Sequence, residues 1–202
     1  MTNKNANEVK FYLDFRSPYA YLAQTRFDDI AAATGAVFVP KPIVVIDLMN
    51  RVGNTPTSVV CPPKAKYVGQ DLIRWAKAYS APLKFNPAAR QIDGPSLLRG
   101  VFAAEVHGAR DAYCRAVFNA IWTQQVALTD DTSLLEVLQK AGIDAAEHIV
   151  AERDDQQASL DAVLEEAIED GVFGAPSFVY DGALYFGNDR LQFLEADLKA
   201  AA

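Results

Sequence analysis

The amino-acid sequence predicts an α/β fold in which a long helical segment interrupts a small β-sheet. Residues 1–50 contain a strand, a helix and a second strand in succession. Residues 51–170 show helical patterns, and residues 171–202 contain two short strands and a final helix. Strands at both ends of the chain, separated by helices, favour one sheet that is assembled from both ends.

The first strand and the first helix follow each other closely. Residues 9–15 are rich in aromatic and branched side chains, which favour a strand. Ser17 has the chemistry of a helix N-cap, and Pro18 suits the first helical position because its missing N–H would be unpaired there. Apolar residues then recur at helical spacing up to Gly35, which is typical of a helix end. We therefore predict one helix from Pro18 to Gly35.

The second strand is predicted in two pieces, residues 36–39 and residues 43–46. Pro40 and Pro42 lie between them, and proline cannot donate to a strand ladder. This strand must therefore contain a bulge or lie at the edge of the sheet. Strand, helix and strand together form a βαβ unit, which favours parallel strands joined by a right-handed connection.

The middle of the chain is predicted to be helical after a loop at residues 47–63. Apolar residues recur at helical spacing in six segments, at residues 64–79, 96–107, 111–124, 132–140, 145–152 and 156–169. We expect these helices, with their connections, to form an inserted domain over residues 51–170.

The end of the chain returns to β-structure. Ser177–Tyr180 and Ala183–Phe186 are separated by Asp181-Gly182, a two-residue hairpin turn, and a helix is predicted from Asp189 to Ala200. The complete order is βαβ, helices, ββα. This order is that of a thioredoxin-like fold, here at residues 1–50 and 171–202, interrupted by an all-helical domain.

Charge and hydropathy exclude some classes of partner. The 202 residues carry a formal net charge of -7, which argues against nucleic acid, since binding to phosphates depends on Lys and Arg. No segment approaches the ~18 uninterrupted apolar residues of a membrane span. Residues 1–10 are polar and have no signal-peptide core, so we expect a cytoplasmic protein.

The cysteines and histidines suggest neither a disulfide nor a metal site. Cys61 and Cys114 are far apart in sequence and match no metal-ligand spacing, and a reducing compartment leaves such thiols unpaired. The roles of these two cysteines stay open. His107 and His148 each stand alone in the sequence, so no metal site is predicted.

The first candidate site is the turn Ser17-Pro18-Tyr19-Ala20. In a thioredoxin-type fold this turn holds a C-x-x-C pair, because the start of a helix stabilises a thiolate. Without sulfur here the protein cannot exchange disulfides, but the turn can hold the thiolate of a ligand, and glutathione is the candidate. Ser17 would supply a hydrogen bond to that thiolate; the alternative is that Ser17 only caps the helix.

The second candidate site is the proline that precedes the third strand. In a thioredoxin-like fold we expect Pro176 to follow a cis peptide bond, which leaves the backbone of Ala175 open to pair with a peptide such as glutathione. The alternative is an ordinary trans proline on an edge strand.

The third candidate site lies where the last strand gives way to the last helix. Gly187 permits close approach of a ligand to the backbone, and the N–H groups at Asn188 suit a carboxylate. Arg190 offers a fork for the same group, whereas Asp189 suits the glutamyl ammonium. Helix capping alone would also explain Asn188 and Asp189.

Several segments resemble one family, the 2-hydroxychromene-2-carboxylate isomerases, which are related to kappa-class glutathione transferases and DsbA-type thioredoxin folds. The resemblance begins with the opening strand and turn at residues 11–23. It continues through Gly53-Asn54, Lys66-Tyr67 and residues 71–76, 117–122, 171–176 and 187–191, and so spans about residues 9 to 198.

The resemblance implies which residues hold glutathione and that the protein is a homodimer. Ser17 is implied at the sulfur, Asn54 at the ligand from its loop, and Ala175 beside Pro176 as a backbone partner. The stretch Gly187, Asn188, Asp189 and Arg190 is implied at the glutamyl end. The sequence departs from the family at Arg16, where an apolar residue is frequent, and in a shorter loop at residues 54–63.

The implied reaction is a glutathione-dependent cis–trans isomerisation of 2-hydroxychromene-2-carboxylate or trans-o-hydroxybenzylidenepyruvate, an unsaturated aromatic keto acid. Thiolate addition makes the double bond single, rotation follows, and elimination restores the alkene. Arg16 or Lys41 would hold the carboxylate; the alternative for Lys41 is an ordinary surface charge. Tyr19 and Tyr67 are candidates to line the substrate pocket. The alternatives are a kappa-like glutathione transferase or peroxidase with a different electrophile, and a redox-inactive thioredoxin-like binding module.

Overall fold

A computed structural model gives the fold of residues 7–201. Residues 1–6 of the predicted thioredoxin-like domain, which include most of the polar N-terminal segment, lie outside the described residues, as does Ala202. The described chain contains a four-stranded sheet in the order β2-β1-β3-β4. Its strands are β1 (Glu8–Leu13), β2 (Val37–Pro42), β3 (Ser177–Tyr180) and β4 (Ala183–Phe186).

The sheet is assembled from both ends of the chain, as the sequence predicts. β1 pairs with β2 in parallel and with β3 antiparallel, and β3 pairs with β4 antiparallel. β2 lies at the edge, so Pro40 and Pro42 are accommodated as the edge alternative requires. The predicted hairpin turn is also confirmed, because Asp181 and Gly182 both adopt positive φ, at 47° and 80°.

The helix predicted from Pro18 to Gly35 is wrong as one element, because the chain forms two helices, α1 (Pro18–Gln24) and α2 (Phe27–Thr34). The Thr25 hydroxyl donates to the Leu22 carbonyl at 2.6 Å, and this bond competes with the regular helical pattern where α1 ends. The predicted stop is correct, since Gly35 caps α2 in the left-handed conformation with φ of 71°.

The segment after β2 differs from the prediction. Residues 43–46 are not a strand, because α3 (Val45–Arg51) begins within them and extends into the predicted loop at residues 47–63, which also contains α4 (Thr57–Val60). The run of branched residues at 43–46 favours a strand locally, but tertiary contacts override it. The backbone N–H of Val45 donates to the buried Asp14 carboxylate at 3.2 Å, and Leu48 of α3 is fully buried. These two contacts turn the chain into a helix.

The remaining helices begin and end close to where the sequence places them. They are α5 (Pro62–Ala78), α6 (Gly94–Val106), α7 (Arg110–Trp122), α8 (Asp131–Lys140), α9 (Ala146–Glu152), α10 (Gln157–Glu169) and α11 (Leu191–Ala201). Short 3₁₀ turns at Arg153–Gln156 and Asn188–Arg190 precede α10 and α11. None of the helices within residues 7–201 combines the length and the apolar character needed to cross a membrane.

The two faces of the sheet are covered by different helices. On one face, Phe11 of β1 stacks on Phe178 of β3 with ring centroids 5.3 Å apart and meets the edge of Phe27 from α2 at 4.8 Å. On the other face, Tyr12 packs in a smaller cluster with Leu48 of α3 and Val163 of α10. This alternation follows from the two-residue period of the strand.

The larger core continues from the sheet into the helical region. Phe15, which lies just before the Ser17 turn, packs against Phe118 of α7 with ring centroids 4.9 Å apart. The Trp122 indole N–H donates to the Phe15 carbonyl at 2.9 Å, and Trp122 is buried. Helix α7 therefore packs against Phe15 and stabilises the chain that leads into the Ser17 turn. The division of the chain into residues 1–50 with 171–202 and residues 51–170 stays a prediction.

A close approach of α6 and α7 at Gly100 provides a test of the packing. An added Cβ would overlap the hydroxyl of Tyr113, which is fully buried and donates to the Leu97 carbonyl at 2.8 Å. We expect Gly100→Ala to lower the free energy of unfolding by about 1–3 kcal/mol, because the buried ring has no space to move into. Gly69→Ala on α5, where nothing lies within 4 Å, should instead raise it by up to about 1 kcal/mol. Chemical denaturation of both variants checks this, and equal stabilities would contradict the packing described.

Candidate functional site

Ser17 joins the start of α1 to the segment that precedes β3. Its hydroxyl accepts a hydrogen bond from the Ala20 N–H at 3.3 Å and donates to the Ala175 carbonyl, also at 3.3 Å. The side chain is half-buried. Ser17 is therefore the predicted N-cap of α1, and it also contacts the backbone that the second candidate site provides.

The peptide bond between Ala175 and Pro176 is cis, as predicted from the thioredoxin-like order of elements. The Pro176 carbonyl accepts a hydrogen bond from the Gly187 N–H at 2.9 Å. This bond ties the second candidate site to the third. Ser17, Ala175 and Gly187, which are far apart in sequence, thus lie in one continuous chain of contacts.

A cleft of about 200 Å³ runs along this junction. Its walls come from the Ser17 turn, from α5 and from the segments on either side of the β3–β4 hairpin. The lining residues are Tyr19, Asp71, Trp75, Ala175, Pro176, Phe186, Gly187, Asn188 and Asp189. Five of the predicted glutathione contacts therefore border one cleft.

Asn188 borders this cleft and carries an unpaired side-chain donor. The residue is only 3% exposed, and its side-chain Nδ2 finds no acceptor among residues 7–201. Its backbone carbonyl accepts from the Tyr79 hydroxyl at 2.9 Å, which fixes the residue in place. An unpaired buried donor destabilises the folded state by about 1–3 kcal/mol. A ligand that accepts a hydrogen bond from Nδ2 would therefore remove this penalty when it binds.

The neighbours of Asn188 carry the charges of the third candidate site. Asp189 and Arg190 form an ion pair with each other, and both side chains are exposed by 40% or more. Gly187 has φ of 93°, and an added Cβ would lie 2.5 Å from Asp189 Oδ1. Gly187 thus provides the conformation and the space that bring Asp189 to the cleft.

Asn54 lies beside this cleft without lining it. Its Nδ2 donates to the Phe173 carbonyl at 2.7 Å, and its Oδ1 accepts from the Thr55 N–H at 2.8 Å. The predicted contact residue is therefore connected to the segment that leads to Ala175. Its amide is exposed and holds the loop after α3 against this segment.

Both predicted pocket tyrosines meet at Asp71 of α5, a residue for which no role was predicted. The Tyr19 hydroxyl donates to Asp71 Oδ2 at 2.9 Å and the Tyr67 hydroxyl to Oδ1 at 3.3 Å. Burial and the bond to Asp71 raise the pKa of Tyr19, so its hydroxyl stays protonated and acts as a donor. Tyr67 and Asp71 stand four residues apart on one helix, which was a signal that they lie on one face.

The predicted carboxylate anchors occupy different surroundings. Arg16 pairs with the fully buried Asp14, with Nη2 to Oδ2 at 3.1 Å. Lys41 on β2 pairs with Glu166 of α10 at 2.9 Å, in a cluster with Lys10 and Asp170 on the face of the sheet that α10 covers. Arg16 therefore lies beside the Ser17 turn, whereas Lys41 shares Glu166 with Lys10 on the face of the sheet that α10 covers.

The cluster around Glu166 makes stability depend on pH. Burial raises the pKa of Glu166, but its bonds to Lys10 and Lys41 outweigh this and hold the pKa below its ordinary value. A lowered pKa stabilises the folded state above the unfolded value of ~4.3, and this stabilisation disappears as the pH falls through the folded pKa. We expect Glu166→Gln to destabilise by up to about 1 kcal/mol at neutral pH. Denaturation of both proteins at several pH values should show the difference closing below pH ~4.3; a difference independent of pH would contradict this.

The cysteines and histidines lie apart from the cleft lining. Cys61 is exposed just before α5, and Cys114 is buried on α7, where burial raises the pKa of its thiol. His107 and His148, isolated in sequence, are stacked with ring centroids 5.5 Å apart, and His107 bonds Glu152 at 2.9 Å. Within the described chain, no three His, Cys, Asp or Glu side chains are placed to hold a metal ion.

Comparison with known proteins shows similarity over almost the whole chain. Residues 8–199 match the profile of the DSBA-like thioredoxin domain. A 2-hydroxychromene-2-carboxylate isomerase of Sphingobium xenophagum is 33% identical over 192 residues, which are 94% of this chain and 97% of that protein. A glutathione S-transferase kappa 1 of Caenorhabditis elegans is 26% identical over 206 residues, covering 94% of this chain and 89% of the relative.

A solved structure shows the same architecture. The structure of a 2-hydroxychromene-2-carboxylate isomerase superimposes with a TM-score of 0.84 and 30% sequence identity, covering 96% of this chain and 95% of that chain. The predicted thioredoxin-like α/β fold with an inserted helical region is therefore confirmed, and so is the resemblance drawn from the sequence.

Proposed function

The chain belongs to the 2-hydroxychromene-2-carboxylate isomerase family of DSBA-like thioredoxin domains, and from this premise we propose that it is a glutathione-dependent cis–trans isomerase. Its substrates are 2-hydroxychromene-2-carboxylate and trans-o-hydroxybenzylidenepyruvate, or close relatives of these aromatic unsaturated keto acids. The proposal assigns the reactive sulfur to glutathione and the control of that sulfur to the protein.

The observation that carries the proposal is a thioredoxin-type cleft with an unpaired donor and no sulfur. The turn that holds cysteines in redox-active members has Ser17 followed by Pro18, Tyr19 and Ala20. Both cysteines of the chain lie elsewhere. Asn188 borders the same cleft, and its buried side-chain Nδ2 has no acceptor within the described residues. A peptide that brings both a carboxylate and a thiol fits these two features.

The residues around the cleft assign a place to each part of glutathione. Asn188 and Arg190 would hold its glutamyl carboxylate, and Asp189 would hold its ammonium. The Ala175 carbonyl would accept from its cysteinyl N–H, and the Ser17 hydroxyl would donate to its sulfur. Asn54 keeps the adjacent backbone in place through Phe173.

When bound, glutathione supplies a thiolate that adds to the conjugated alkene, allows rotation about the resulting single bond, and leaves unchanged. The protein favours the thiolate, because a hydrogen bond from Ser17 and the positive end of α1 stabilise negative charge relative to the ordinary thiol pKa of ~8.5. Tyr19, whose hydroxyl donates to Asp71, borders the same cleft. By holding glutathione and the substrate in one cleft, these residues orient two reactants that seldom meet productively in solution.

Turnover of trans-o-hydroxybenzylidenepyruvate with and without glutathione tests the proposal. We expect turnover only when glutathione is present, and no net loss of its thiol. A variant with both Cys61→Ser and Cys114→Ser should remain active, since neither cysteine is the nucleophile. Equal turnover without glutathione, or inactivity of this folded double variant, would refute the proposal.

A kappa-like glutathione transferase or peroxidase is the second candidate, and the kappa-class relative favours it. The two functions share the thiolate site and differ in the acceptor. Conjugation consumes one thiol per electrophile and peroxide reduction consumes two per peroxide, whereas isomerisation consumes none. Titration of free thiol during turnover therefore separates them, and a redox-inactive binding module would show no turnover of either kind.

The proposal also includes a cytoplasmic location and a homodimeric assembly. The cytosolic glutathione pool keeps thiols reduced, which suits an enzyme that depends on a free thiol and carries an exposed Cys61. Sedimentation of the purified protein tests the homodimer. A measured mass equal to that of one chain would contradict it.

A further inference from the structure

We propose that Arg16 is a positioning residue that fixes the Ser17 turn through Asp14, and that it does not anchor the carboxylate of the substrate. This inference rests on the proposed function, because it concerns the thiolate that Ser17 stabilises. It assigns a role to an ion pair beside the turn and removes one candidate from the set of substrate contacts.

Asp14 is the centre of the arrangement. The residue is fully buried, and its carboxylate accepts hydrogen bonds from four N–H groups. Three belong to Arg16, namely the backbone N–H at 2.9 Å, Nε at 3.2 Å and Nη2 at 3.1 Å, and the fourth is the Val45 N–H at 3.2 Å. The Asp14 backbone carbonyl accepts from the Ser17 N–H at 2.9 Å. One residue thus holds the Ser17 turn, the start of α3 and the guanidinium.

The charge around Arg16 is already compensated. The hydrogen bond to Asp14 raises the pKa of the guanidinium, and the carboxylates of Asp47 and Asp93 act in the same direction. One cation therefore faces three carboxylates. An incoming substrate carboxylate would meet a net negative surrounding and would have to compete with a bidentate partner that is already buried.

Gly94, the first residue of α6, lies close to the guanidinium of Arg16. An added Cβ at Gly94 would lie 2.5 Å from Arg16 Nε and 2.8 Å from Cζ. The start of α6 therefore packs against one side of the guanidinium, and the Arg16 side chain stays 34% exposed. Arg16 connects the helical region with the Ser17 turn, and a displacement of Arg16 would be transmitted to Ser17 through Asp14.

Two substitutions at Arg16 separate positioning from anchoring. The measurements are kcat, the KM for trans-o-hydroxybenzylidenepyruvate, and the pH at which bound glutathione shows thiolate absorbance. We expect Arg16→Met to lower kcat by about 10²-fold, as misplaced catalytic groups do, to shift the thiolate absorbance to higher pH, and to leave this KM within about threefold. Arg16→Lys keeps the charge but not the fork, so it should restore kcat only partly. A rise of KM of tenfold or more with unchanged kcat would instead identify an anchor and overturn the proposal.

A second variant displaces the guanidinium without removing it, in case Arg16→Met fails to fold. Gly94→Ala places a Cβ against the guanidinium, and thermal unfolding of the variant checks that it stays folded at the assay temperature. We expect it to lower kcat at least about tenfold and to shift the thiolate absorbance to higher pH. The matched control, Gly69→Ala in α5, has open space and should retain wild-type kcat. Wild-type kcat and thiolate absorbance in Gly94→Ala would overturn the proposal.

Failure of this inference and failure of the proposed function give different results. If the wild-type protein binds glutathione as thiolate and the variants at Arg16 and Gly94 do so at the same pH, only the positioning role is wrong. If the wild-type protein itself gives no thiolate absorbance at saturating glutathione, the proposed function is wrong and the inference falls with it.

Discussion

Replacing Ser17 by alanine is expected to lower kcat/KM for isomerisation by about 10²–10³-fold, the range found when one preorganised donor to a developing anion is removed. The Ser17 hydroxyl lies 3.3 Å from the Ala175 carbonyl, beside which the cysteine of glutathione is proposed to bind. The loss should appear in steady-state kinetics and as a shift of the bound thiolate absorbance to higher pH. Stability should fall by only ~1 kcal/mol, since the cap of one short helix is lost.

A second helix cap provides the control for Ser17. Asp130 caps α8 by accepting from the Ser133 N–H at 2.8 Å, just as Ser17 caps α1 through Ala20. Asp130→Ala therefore removes a cap of the same kind far along the chain and should leave kcat/KM unchanged. If Ser17→Ala and Asp130→Ala have equal activities, Ser17 is a cap and nothing more, and its role at the sulfur is wrong.

Replacing Asn188 by leucine is expected to weaken glutathione binding by about ten- to a hundredfold, the value of one hydrogen bond of about 1.5–3 kcal/mol to a charged group. The apolar side chain of similar shape also removes an unpaired buried donor, so the protein without ligand should be equally stable or more stable. Weaker glutathione binding without a loss of stability would show that Asn188 donates to the ligand and not to the protein. Calorimetric titration with glutathione and thermal unfolding measure the two effects.

Asn86 provides the matched comparison for Asn188. It is also buried, at 7% exposure, but its Nδ2 donates to two carbonyls, those of Val126 at 2.8 Å and Ile121 at 3.3 Å. Asn86→Leu should therefore destabilise the fold by about 1–3 kcal/mol, because the carbonyls lose their donor, and should leave glutathione affinity unchanged. If Asn188→Leu binds glutathione like the wild type, Asn188 does not contact the ligand.

The sequence predicted those features that depend on local chemistry. Ser17 with Pro18 marks a helix start, Asp181-Gly182 marks a hairpin turn, and both occur where expected. The proline before β3 was placed by the order of elements, and so was its cis bond. The helix start and the hairpin turn are each encoded in a few neighbouring residues, which is why a single sequence reveals them, whereas the cis proline required the order of elements in the fold.

The features that the sequence did not predict depend on distant partners. Residues 43–46 favour a strand locally, but the bond from Val45 to Asp14 and the burial of Leu48 favour a helix nearby. Asp71 became recognisable only when α5 brought it to Tyr19. Lys41 was a plausible carboxylate anchor until the fold paired it with Glu166 of α10, which lies in the helical segment far along the chain.

The claim that the catalytic sulfur arrives with the ligand is tested most directly by an analogue of glutathione in which serine replaces cysteine. This tripeptide keeps the glutamyl and glycyl ends and should compete with glutathione for the cleft at comparable affinity. We predict that the protein saturated with it shows no turnover of trans-o-hydroxybenzylidenepyruvate, and that added glutathione restores turnover competitively. Turnover with the serine analogue alone would place the nucleophile in the protein and contradict the account.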